Sequence, residues 1–254
     1  MAFKTVMKSI YLILIFLGCP ALLRAGPPFV TDDPIPVDYR HWEVYLASQL
    51  EQNANAWSGT APHIEVNYGV VPDLQLHLIM PDAFTAPTMG PKELGLGDIE
   101  LGAKYRFIKQ TENVPDVATF PLVELPTGSY NRGLGTGHPR LYLPLWMQKD
   151  FGKWTIYGGG GYWINPGPNN QNWGFAGCLL QRQLTSNFVL GTEIFHQTAQ
   201  QIGGESNTNI NVGGTLDLSD LQHVLFSVGH TVQGPSGYQG YLAIQFTFGP
   251  EEKK

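Results

Sequence analysis

The chain is poor in charge and has no long apolar run. Charged residues make up 14% of its 254 residues, against roughly 25% in ordinary soluble domains. No apolar stretch reaches the roughly 18 residues of a membrane-spanning helix, which excludes an α-helical membrane protein. Because 43% of the residues are hydrophobic, a disordered chain is excluded as well. These absences, with 30 glycines and 12% aromatic residues, favour a protein built from short alternating strands.

Basic residues are scarce too. Fifteen Lys and Arg stand against 21 Asp and Glu, which gives a net charge of -6, and no basic cluster interrupts the chain. A protein that holds nucleic acid neutralises phosphates with Lys and Arg. We therefore exclude nucleic acid as a partner.

The first 25 residues have the features of a secretory signal peptide. Two lysines precede the apolar run Ile10–Leu17, and a short segment then leads to Ala25, as in a basic start, an apolar core and a cleavage site. We expect cleavage after Ala25, and a lipid-modified terminus at Cys19 is the alternative. Once Cys19 is removed, Cys178 has no partner for an internal disulfide.

Beyond the leader, residues 26–40 hold four prolines and are expected to form an extended periplasmic segment. From residue 41 onward, apolar and polar side chains alternate with the two-residue period of a β-strand. This period predicts an antiparallel, closed up-and-down β-barrel over residues 41–248, followed by a tail at 249–254. The twelve predicted strands are Trp42–Leu50, 63–70, 74–80, Asp98–Phe107, Val117–Leu125, Arg140–Lys149, Trp154–Ile164, Asn172–Gln183, Phe188–Gln197, Thr208–Leu218, Gln222–Gln233 and Tyr238–Phe248.

The connections between these strands alternate in length. Those after odd strands are mostly long, as at Gln52–Ala61, Asp82–Gly95 and Thr127–His138, whereas those after even strands are mostly short. Long outer loops and short periplasmic turns are typical of outer-membrane barrels. The Asp32-Asp33 segment is expected either to enter the periplasmic mouth as a small plug or to remain a flexible leader.

The period alone does not say which face is inside. The polar faces carry few charges and many Gly, Asn, Gln and Thr residues, which suits an enclosed lumen better than bulk water, and ten-residue strands match a tilted crossing of a bilayer. Aromatic residues also gather near strand ends, as membrane interfaces favour, although large β-proteins contain aromatic residues anyway. One predicted rim holds Trp42, Tyr68, Tyr105, Phe107, Trp154, Phe188, Phe246 and Phe248, and the other holds Tyr162, Trp173, Phe175 and Tyr238.

Polar faces turned inward place two sets of residues in the lumen. The charged set could favour cations or form ion pairs that fill a narrow barrel, and the aromatic set could bind apolar solutes or simply pack the interior. The predicted charged set is Glu43, Glu65, Asp98, Glu100, Lys104, Arg106, Glu124, Arg140, Arg182, Glu193 and Asp217. The predicted aromatic set is Tyr142, Trp146, Tyr157, Trp163, Phe195 and Tyr241.

The sequence offers little for catalysis or metal binding. The seven histidines show no metal spacing, no GxSxG motif is present, and the run Gly158–Gly161 lacks the features of a phosphate loop. We therefore predict no catalytic residue, no metal and no cofactor. Ser48 and His63 are the loosely suggestive pair for a lipid-acting enzyme. A soluble periplasmic ligand-binding barrel is the other alternative.

Three motifs resemble one family of outer-membrane proteins. They are Gly26–Pro34 followed by His41-Trp42-Glu43, the stretch Leu96–Arg106 with its Gly97-Asp98, and Leu125–Gly128. This pattern resembles the family named for the MetA pathway of phenol degradation. The resemblance implies a β-barrel of the Gram-negative outer membrane that is sometimes linked to uptake of aromatic compounds. We therefore expect a channel for small apolar or aromatic solutes, in contact with outer-membrane lipid and inserted by the barrel-assembly machinery.

Overall fold

The fold consists almost entirely of strands. The computed structural model describes residues 28–53 and 55–250, so the predicted signal peptide and the last four residues of the predicted tail lie outside the described residues. A single short 3-10 helix, Tyr130–Arg132, accompanies the strands of this part of the chain. The strands are β1 (Trp42–Gln52), β2 (Ala56–Val71), β3 (Leu74–Pro87), β4 (Glu93–Leu96), β5 (Ile99–Ile108), β6 (Asp116–Thr119), β7 (Leu122–Leu125), β8 (Arg140–Phe151), β9 (Trp154–Ile164), β10 (Trp173–Thr185), β11 (Phe188–Gln197), β12 (Asn207–Ser219), β13 (Gln222–Gln233) and β14 (Tyr238–Phe248).

The sheet closes on itself. The first strand β1 pairs antiparallel with the last strand β14, from Trp42 opposite Phe248 to Gln52 opposite Tyr238. Segments β4 and β5 both lie along β3, and β6 and β7 both lie between β5 and β8. Each of these two pairs therefore fills one position in the wall. The result is the predicted closed antiparallel barrel of twelve strands.

One position of the wall is interrupted by proline. Thr119 at the end of β6 lies opposite Leu145, and Leu122 at the start of β7 lies opposite Tyr142. This register sets Phe120-Pro121 against Leu143-Pro144, and we call these four residues the proline seam. Proline has no N–H to donate to a neighbouring strand, so Pro144 cannot donate to Phe120 opposite it. The carbonyl of Pro121 accepts from the Ala103 N–H of β5, so the missing donor of Pro121 faces β5 and not β8.

The alternation of connection lengths is confirmed, with a correction. Short turns at 72–73, 152–153, 186–187 and 220–221 lie at one end, and the connections 126–139, 165–172 and 198–206 lie at the other. The first two long connections are shorter than expected, at 53–55 and 88–92. The reason is that β1, β2 and β3 continue past their expected ends and remain paired there.

The outer face of the barrel is apolar and the inner face is polar. Among the described residues no helix is long and apolar enough to cross a membrane. Large apolar side chains from almost every strand are exposed on the outside: Leu46, Ile64, Leu76, Leu101, Leu143, Ile156, Leu180, Ile194, Val212, Val228 and Leu242. Polar side chains are buried on the inside: Glu65, Asn67, Gln75, His77, Lys104, Glu124, Gln148, Thr155, Gln181, Glu193, Asn211, Ser227 and Gln245. This inverted arrangement is that of a transmembrane barrel.

Residues 28–40, hereafter the plug, lie within the barrel. Ser227 donates a hydrogen bond from its hydroxyl to the carbonyl of Pro28 at 2.5 Å, and the Val37 N–H donates to the side-chain oxygen of Gln75 at 2.9 Å. The segment then leaves by the short-turn end, where the Arg40 N–H donates to the carbonyl of Gly69 at 2.6 Å. Of the two alternatives for this segment, the structure thus takes the plug. Residues 28–40 thus occupy the lumen.

The inverted faces predict how the barrel responds to a charge on its outside. Val228 lies in the middle of β13 and is 67% exposed. We expect Val228→Arg to lower the free energy of unfolding in lipid vesicles by about 2–4 kcal/mol, because arginine at mid-bilayer depth is poorly solvated. Leu221→Arg, in the turn 220–221, should cost about 0–1 kcal/mol. Urea titration followed by heat-modifiable gel mobility measures both, and equal costs would contradict a lipid-facing outer surface.

Candidate functional site

A cavity of about 550 Å³ lies in the lumen above the plug. The plug residues Phe29, Val30, Asp32 and Ile35 line its floor, and it extends toward the long loops as far as Gln200. A volume of this size is within the range of small-molecule sites, roughly 300–1,000 Å³. Its two sides differ in chemistry, since one wall is aromatic and the other carries charged and amide side chains.

The aromatic wall is built by inward positions of neighbouring strands. Tyr142 on β8 stacks on Phe175 of β10, with ring centroids 4.9 Å apart, and Phe175 stacks in turn on Phe195 of β11 at 5.9 Å. Trp163 on β9 stacks on Trp173 of β10 at 5.8 Å. Phe120, Leu122 and Trp146 complete the same buried cluster. The wall therefore presents flat ring faces and edges, which suit an aromatic solute.

Glycines on β9 make room for these rings. A Cβ atom added at Gly161 would come within 2.7 Å of the Phe175 ring, and one at Gly159 within 2.8 Å of the Trp146 ring. The run Gly158–Gly161 is thus a closely packed strand, as the lack of phosphate-loop features suggested. Large rings on β8 and β10 can lie side by side because β9 between them carries almost no side chain there.

The opposite wall carries acids and amides from β1, β2, β3 and β5. Glu65 accepts a hydrogen bond from the side-chain amide of Asn67 at 2.7 Å, and the Asn67 oxygen lies 2.7 Å from Nδ1 of His77. Glu43 accepts from the hydroxyl of Tyr45 at 2.7 Å. Glu100 also lines the cavity. These contacts hold several predicted lumen residues in one network facing the aromatic wall.

The two basic residues that line the cavity are both held by acids. Arg140 donates to the carboxylate of Glu124 through Nε at 3.1 Å and Nη2 at 2.5 Å, and its guanidinium also lies 5.0 Å from the centre of the Trp163 ring. Lys104 Nζ lies 3.0 Å from Asp32 Oδ1 and 3.6 Å from Asp33 Oδ2. The described residues that line the cavity include five acids and these two bases, so acid is in excess.

The plug is attached to two sides of the lumen. Lys104 binds Asp32 and Asp33 on one side, and on the other side the backbone N–H of Thr31 donates to Glu193. Gly177 permits the close approach there, because a Cβ at this position would lie 2.0 Å from the Thr31 hydroxyl oxygen. Thr31 and Asp33 have no exposed surface. The docked plug therefore fills the lumen beneath the cavity.

The buried carboxyl of Asp33 is a weaker acid than an exposed aspartate. Burial raises the pKa of Asp33 well above its usual value, an effect that the positive charge of Lys104 opposes and the neighbouring Asp32 reinforces. A raised pKa means that the docked plug binds this proton more tightly than the free chain does. The Asp33 carboxyl by itself therefore contributes most to docking at low pH, and this contribution is lost as the pH rises through its pKa in the docked state.

Five other predicted lumen residues lie away from the cavity: Asp98, Arg106, Tyr157, Asp217 and Tyr241. Asp98 fixes the connection 126–139, since the backbone N–H groups of Gly128 and Thr136 donate to it at 2.8 and 2.6 Å. At the short-turn end Arg106 binds Asp73 at 2.7 Å and Asp116 at 3.3 Å.

Hydrogen bonds also stabilise the turns themselves. Partial burial favours a higher pKa for Asp73, but hydrogen bonds from Lys109 and Arg106 outweigh it and hold that pKa below its usual value. Asp217 lies 2.6 Å from Nδ1 of His223, also near the short-turn end. Tyr157 is buried on the inner face, and Tyr241 packs there against the cluster of Tyr45, Ala47, Leu225 and Ala243.

Two expectations about β10 are wrong. Arg182 lies on the outside, where its guanidinium covers the ring of Trp154 at 5.0 Å, because the inward positions of β10 are Leu179 and Gln181. Trp173 and Phe175, expected at an outer rim, are buried on the inner face. The physical reason is that Gln181-Arg182-Gln183 is polar on both faces, so the alternation there does not fix which side is inward.

Neither the suggestive catalytic pair nor a group of metal ligands assembles in the described part of the chain. Ser48 lies opposite Leu242, which is 59% exposed on the outer face, whereas His63 is buried on the inner face. The suggestive pair for a lipid-acting enzyme is therefore separated by the wall. Within residues 28–53 and 55–250, no three His, Cys, Asp or Glu side chains form a group that could hold a metal ion.

The fold and the inverted faces define a β-barrel of the outer-membrane type, and comparisons with known proteins agree. The chain is similar to an outer-membrane channel of Pseudomonas putida F1, with 16% identity, a TM-score of 0.70, and coverage of 89% of this chain and 100% of the other. It is also similar to the NanC porin, with 7% identity, a TM-score of 0.58, and coverage of 80% and 98%. A third is the translocator domain of the autotransporter NalP from Neisseria meningitidis, with 12% identity, a TM-score of 0.56, and coverage of 82% and 88%.

The family is shown by the sequence itself. The model of the family described as "Putative MetA-pathway of phenol degradation" matches residues 59–248, which is well over half of the chain. The protein belongs to this family, as its motifs indicated. No curated protein matches the chain.

The contacts of the plug predict how it can be released. We expect Gly177→Val to displace Thr31 and to raise the ion conductance of the protein in planar bilayers, because the new side chain would occupy the place of the Thr31 hydroxyl. Gly174→Val on the same strand is the matched control, since a Cβ there meets no atom closer than 3.7 Å. Unchanged conductance of folded Gly177→Val protein would show that the plug does not close the lumen.

Proposed function

We propose that the protein is an outer-membrane channel that admits small aromatic compounds and has no enzymatic role. The observation that carries the proposal is the cavity, whose stacked rings face a polar wall inside a barrel with an apolar outer surface. Such a site combines ring contacts with a few convergent polar groups, as small-molecule sites do. The family description and the similar solved channels support the same function.

The membrane orientation follows from the connections. Short turns lie on the periplasmic side of outer-membrane barrels and longer loops outside, so the cavity faces the exterior and the plug faces the periplasm. Export and signal-peptide cleavage, insertion by the barrel-assembly machinery and contact with outer-membrane lipid are parts of this proposal.

The charges of the cavity narrow the class of solute. Acids are in excess among the described lining residues, and both bases are paired. A carboxylate or a buried carboxyl accepts hydrogen bonds from a hydroxyl or an ammonium group, whereas an anionic solute would meet like charge. The solute is therefore a neutral or cationic aromatic compound with a hydrogen-bond donor.

A matched ligand series tests this selectivity. We expect 4-nitrobenzyl alcohol and 4-nitrobenzylamine to quench the fluorescence of the detergent-solubilised protein saturably, because a nitroaromatic ring would lie against Trp163 and Trp173. We expect 4-nitrobenzoate to bind roughly tenfold more weakly or worse, owing to repulsion from the acids. Glu100→Gln should narrow this difference, and Glu112→Gln in the exposed connection 109–115 should not. Equal affinities for all three ligands would contradict the proposed selectivity.

Passage of the solute through the protein is tested in lipid vesicles. Asymmetric vesicles with a lipopolysaccharide outer leaflet and pyrene-labelled phospholipid in the inner leaflet report a nitroaromatic that has crossed the outer leaflet, through quenching of pyrene. We expect external 4-nitrobenzyl alcohol to quench pyrene faster when the protein is present than in protein-free vesicles. Equal rates would refute the transport function even if the ligand binds.

A further inference from the structure

A second cavity, of about 400 Å³, lies at the mouth of the barrel, and we call it the outer chamber. Its lining comes from the end of β1, from the ends of β11 to β14, and from the connections 198–206 and 234–237. All of these segments belong to the long-loop end of the barrel. With the orientation proposed above, a solute from the exterior meets this chamber before it reaches the aromatic wall.

The outer chamber and the aromatic cavity share a border. The residues that line both are Val30 of the plug, Glu51, Phe195, Gln197 and Gln200. Phe195 is the terminal ring of the stack on the aromatic wall, and it is only 4% exposed. A ring that lies against this wall can therefore extend a substituent past Phe195 into the outer chamber.

Amide side chains dominate the chemistry of the outer chamber. Eight of its described lining residues are Asn or Gln, whereas no Lys or Arg is among them. Within residues 28–53 and 55–250, four of these amide side chains form no hydrogen bond with the protein: Gln52, Gln197, Gln200 and Gln201. Each of them offers two N–H donors and a carbonyl acceptor. The chamber thus presents several unused donors and acceptors without a positive charge.

Amides deeper in the lumen have a different role. The side chain of Asn67 donates to Glu65 at 2.7 Å, and that of Asn211 donates to Glu193. These amides connect wall residues to one another. Those of the outer chamber make no such contribution to the barrel, which leaves them available to a ligand.

The backbone that carries two of the free amides is held in place. The carbonyl of Gln200 accepts from the N–H of Gln171 at 3.0 Å and from the side-chain amide of Asn165 at 3.1 Å. The carbonyl of Ala199 accepts from the side-chain amide of Gln171 at 2.9 Å. These bonds tie the connection 198–206 to the connection 165–172. Gln200 and Gln201 are therefore positioned beside the chamber before a ligand arrives, which lowers the entropy cost of binding.

A ligand that uses these groups must be rich in hydroxyls. A hydroxyl both donates and accepts, so neighbouring hydroxyls match neighbouring amides, whereas a purely apolar ligand would leave the amides without partners. The charged residues in the described lining are Glu51 and Glu205, and both would repel an acidic sugar. A neutral sugar is the group that fits this chemistry.

We propose that the solute of this channel is an aromatic glycoside, whose ring lies on the aromatic wall and whose neutral sugar occupies the outer chamber. The proposal rests on the proposed function, because it extends the aromatic ligand of the same lumen by a sugar. The two adjoining cavities, of about 550 and 400 Å³, each receive one half of such a molecule. The aromatic wall recognises the ring, and the free amides recognise the hydroxyls.

Ligands that differ in the sugar alone test this assignment. We expect 4-nitrobenzyl β-D-glucoside to quench the fluorescence of the detergent-solubilised protein at about tenfold lower concentration than 4-nitrobenzyl alcohol, because its hydroxyls reach the free amides. The β-D-glucuronide of the same alcohol should bind about twofold to fivefold more weakly than the glucoside, owing to Glu51 and Glu205. Methyl β-D-glucoside, which lacks the ring, should displace the glycoside only at concentrations at least about tenfold higher.

A double variant locates the sugar. Gln52 and Gln201 line the outer chamber but not the aromatic cavity. Gln52→Leu/Gln201→Leu removes donors and acceptors while it keeps the size of the side chains, so the glucoside should bind about tenfold more weakly. Binding of 4-nitrobenzyl alcohol should be unchanged, which also shows that the variant is folded. Gln222→Leu, at the exposed start of β13, is the matched control and should change neither affinity.

The outcomes separate this inference from the proposed function. Equal affinities for the glucoside and the alcohol, or a glucoside affinity that Gln52→Leu/Gln201→Leu leaves unchanged, would overturn the sugar site while the aromatic channel stands. If methyl β-D-glucoside competed as well as the glycoside, the chamber would bind a sugar from any source, such as a surface glycan, and the two-part ligand would be overturned. Absence of binding by every nitroaromatic ligand would instead overturn the proposed function.

Discussion

Closure of the sheet in an apolar solvent is the constraint on which the rest of the structure depends. In hydrocarbon every backbone donor and acceptor needs a partner within the protein, and pairing of β1 with β14 removes the last free edge. The same solvent requires an apolar outer surface, which sends the polar side chains of each strand inward. The lumen thus collects charges such as Glu65, Lys104 and Glu193, and each must then be compensated by neighbours from inside the barrel.

The plug supplies partners for these buried charges. Lys104 on β5 is almost fully buried and binds Asp32 and Asp33, neither of which belongs to the barrel wall. Glu193 on the other side receives backbone N–H groups from the same segment. Removing one partner from a buried ion pair is strongly destabilising, so the wall and the plug stabilise each other. Because the plug fills the lower lumen, the cavity of about 550 Å³ lies above it, where acids remain in excess among the described lining residues.

Much of the fold could be predicted from the sequence, because a two-residue period records the inverted faces on every long strand. Ile99–Phe107 shows this plainly, and Lys104 and Glu100 on its polar face do lie inside. The period fails at Gln181-Arg182-Gln183, where both faces are polar near the end of β10. Trp173 and Phe175 are expected at a rim because they lie at the start of that strand, but their rings face inward. The plug contacts join residues far apart in sequence, such as Thr31 and Glu193, and no local pattern encodes such pairs. The space for the rings could have been inferred from Gly158–Gly161, since a strand segment without side chains leaves room for large side chains on the strands beside it.

The need to pair every backbone group in hydrocarbon also determines the effect of the prolines on the wall. In a soluble sheet water can satisfy a carbonyl that lacks a partner, so Pro121 and Pro144 would be a minor local defect. In a lipid-facing wall no water reaches that carbonyl, and the Thr119 hydroxyl must supply the hydrogen bond instead. Such a substitution keeps the wall closed but leaves it with fewer backbone hydrogen bonds there than a complete ladder provides. The aromatic rings lie immediately inside this place, so their packing against one another also helps to hold this part of the wall together.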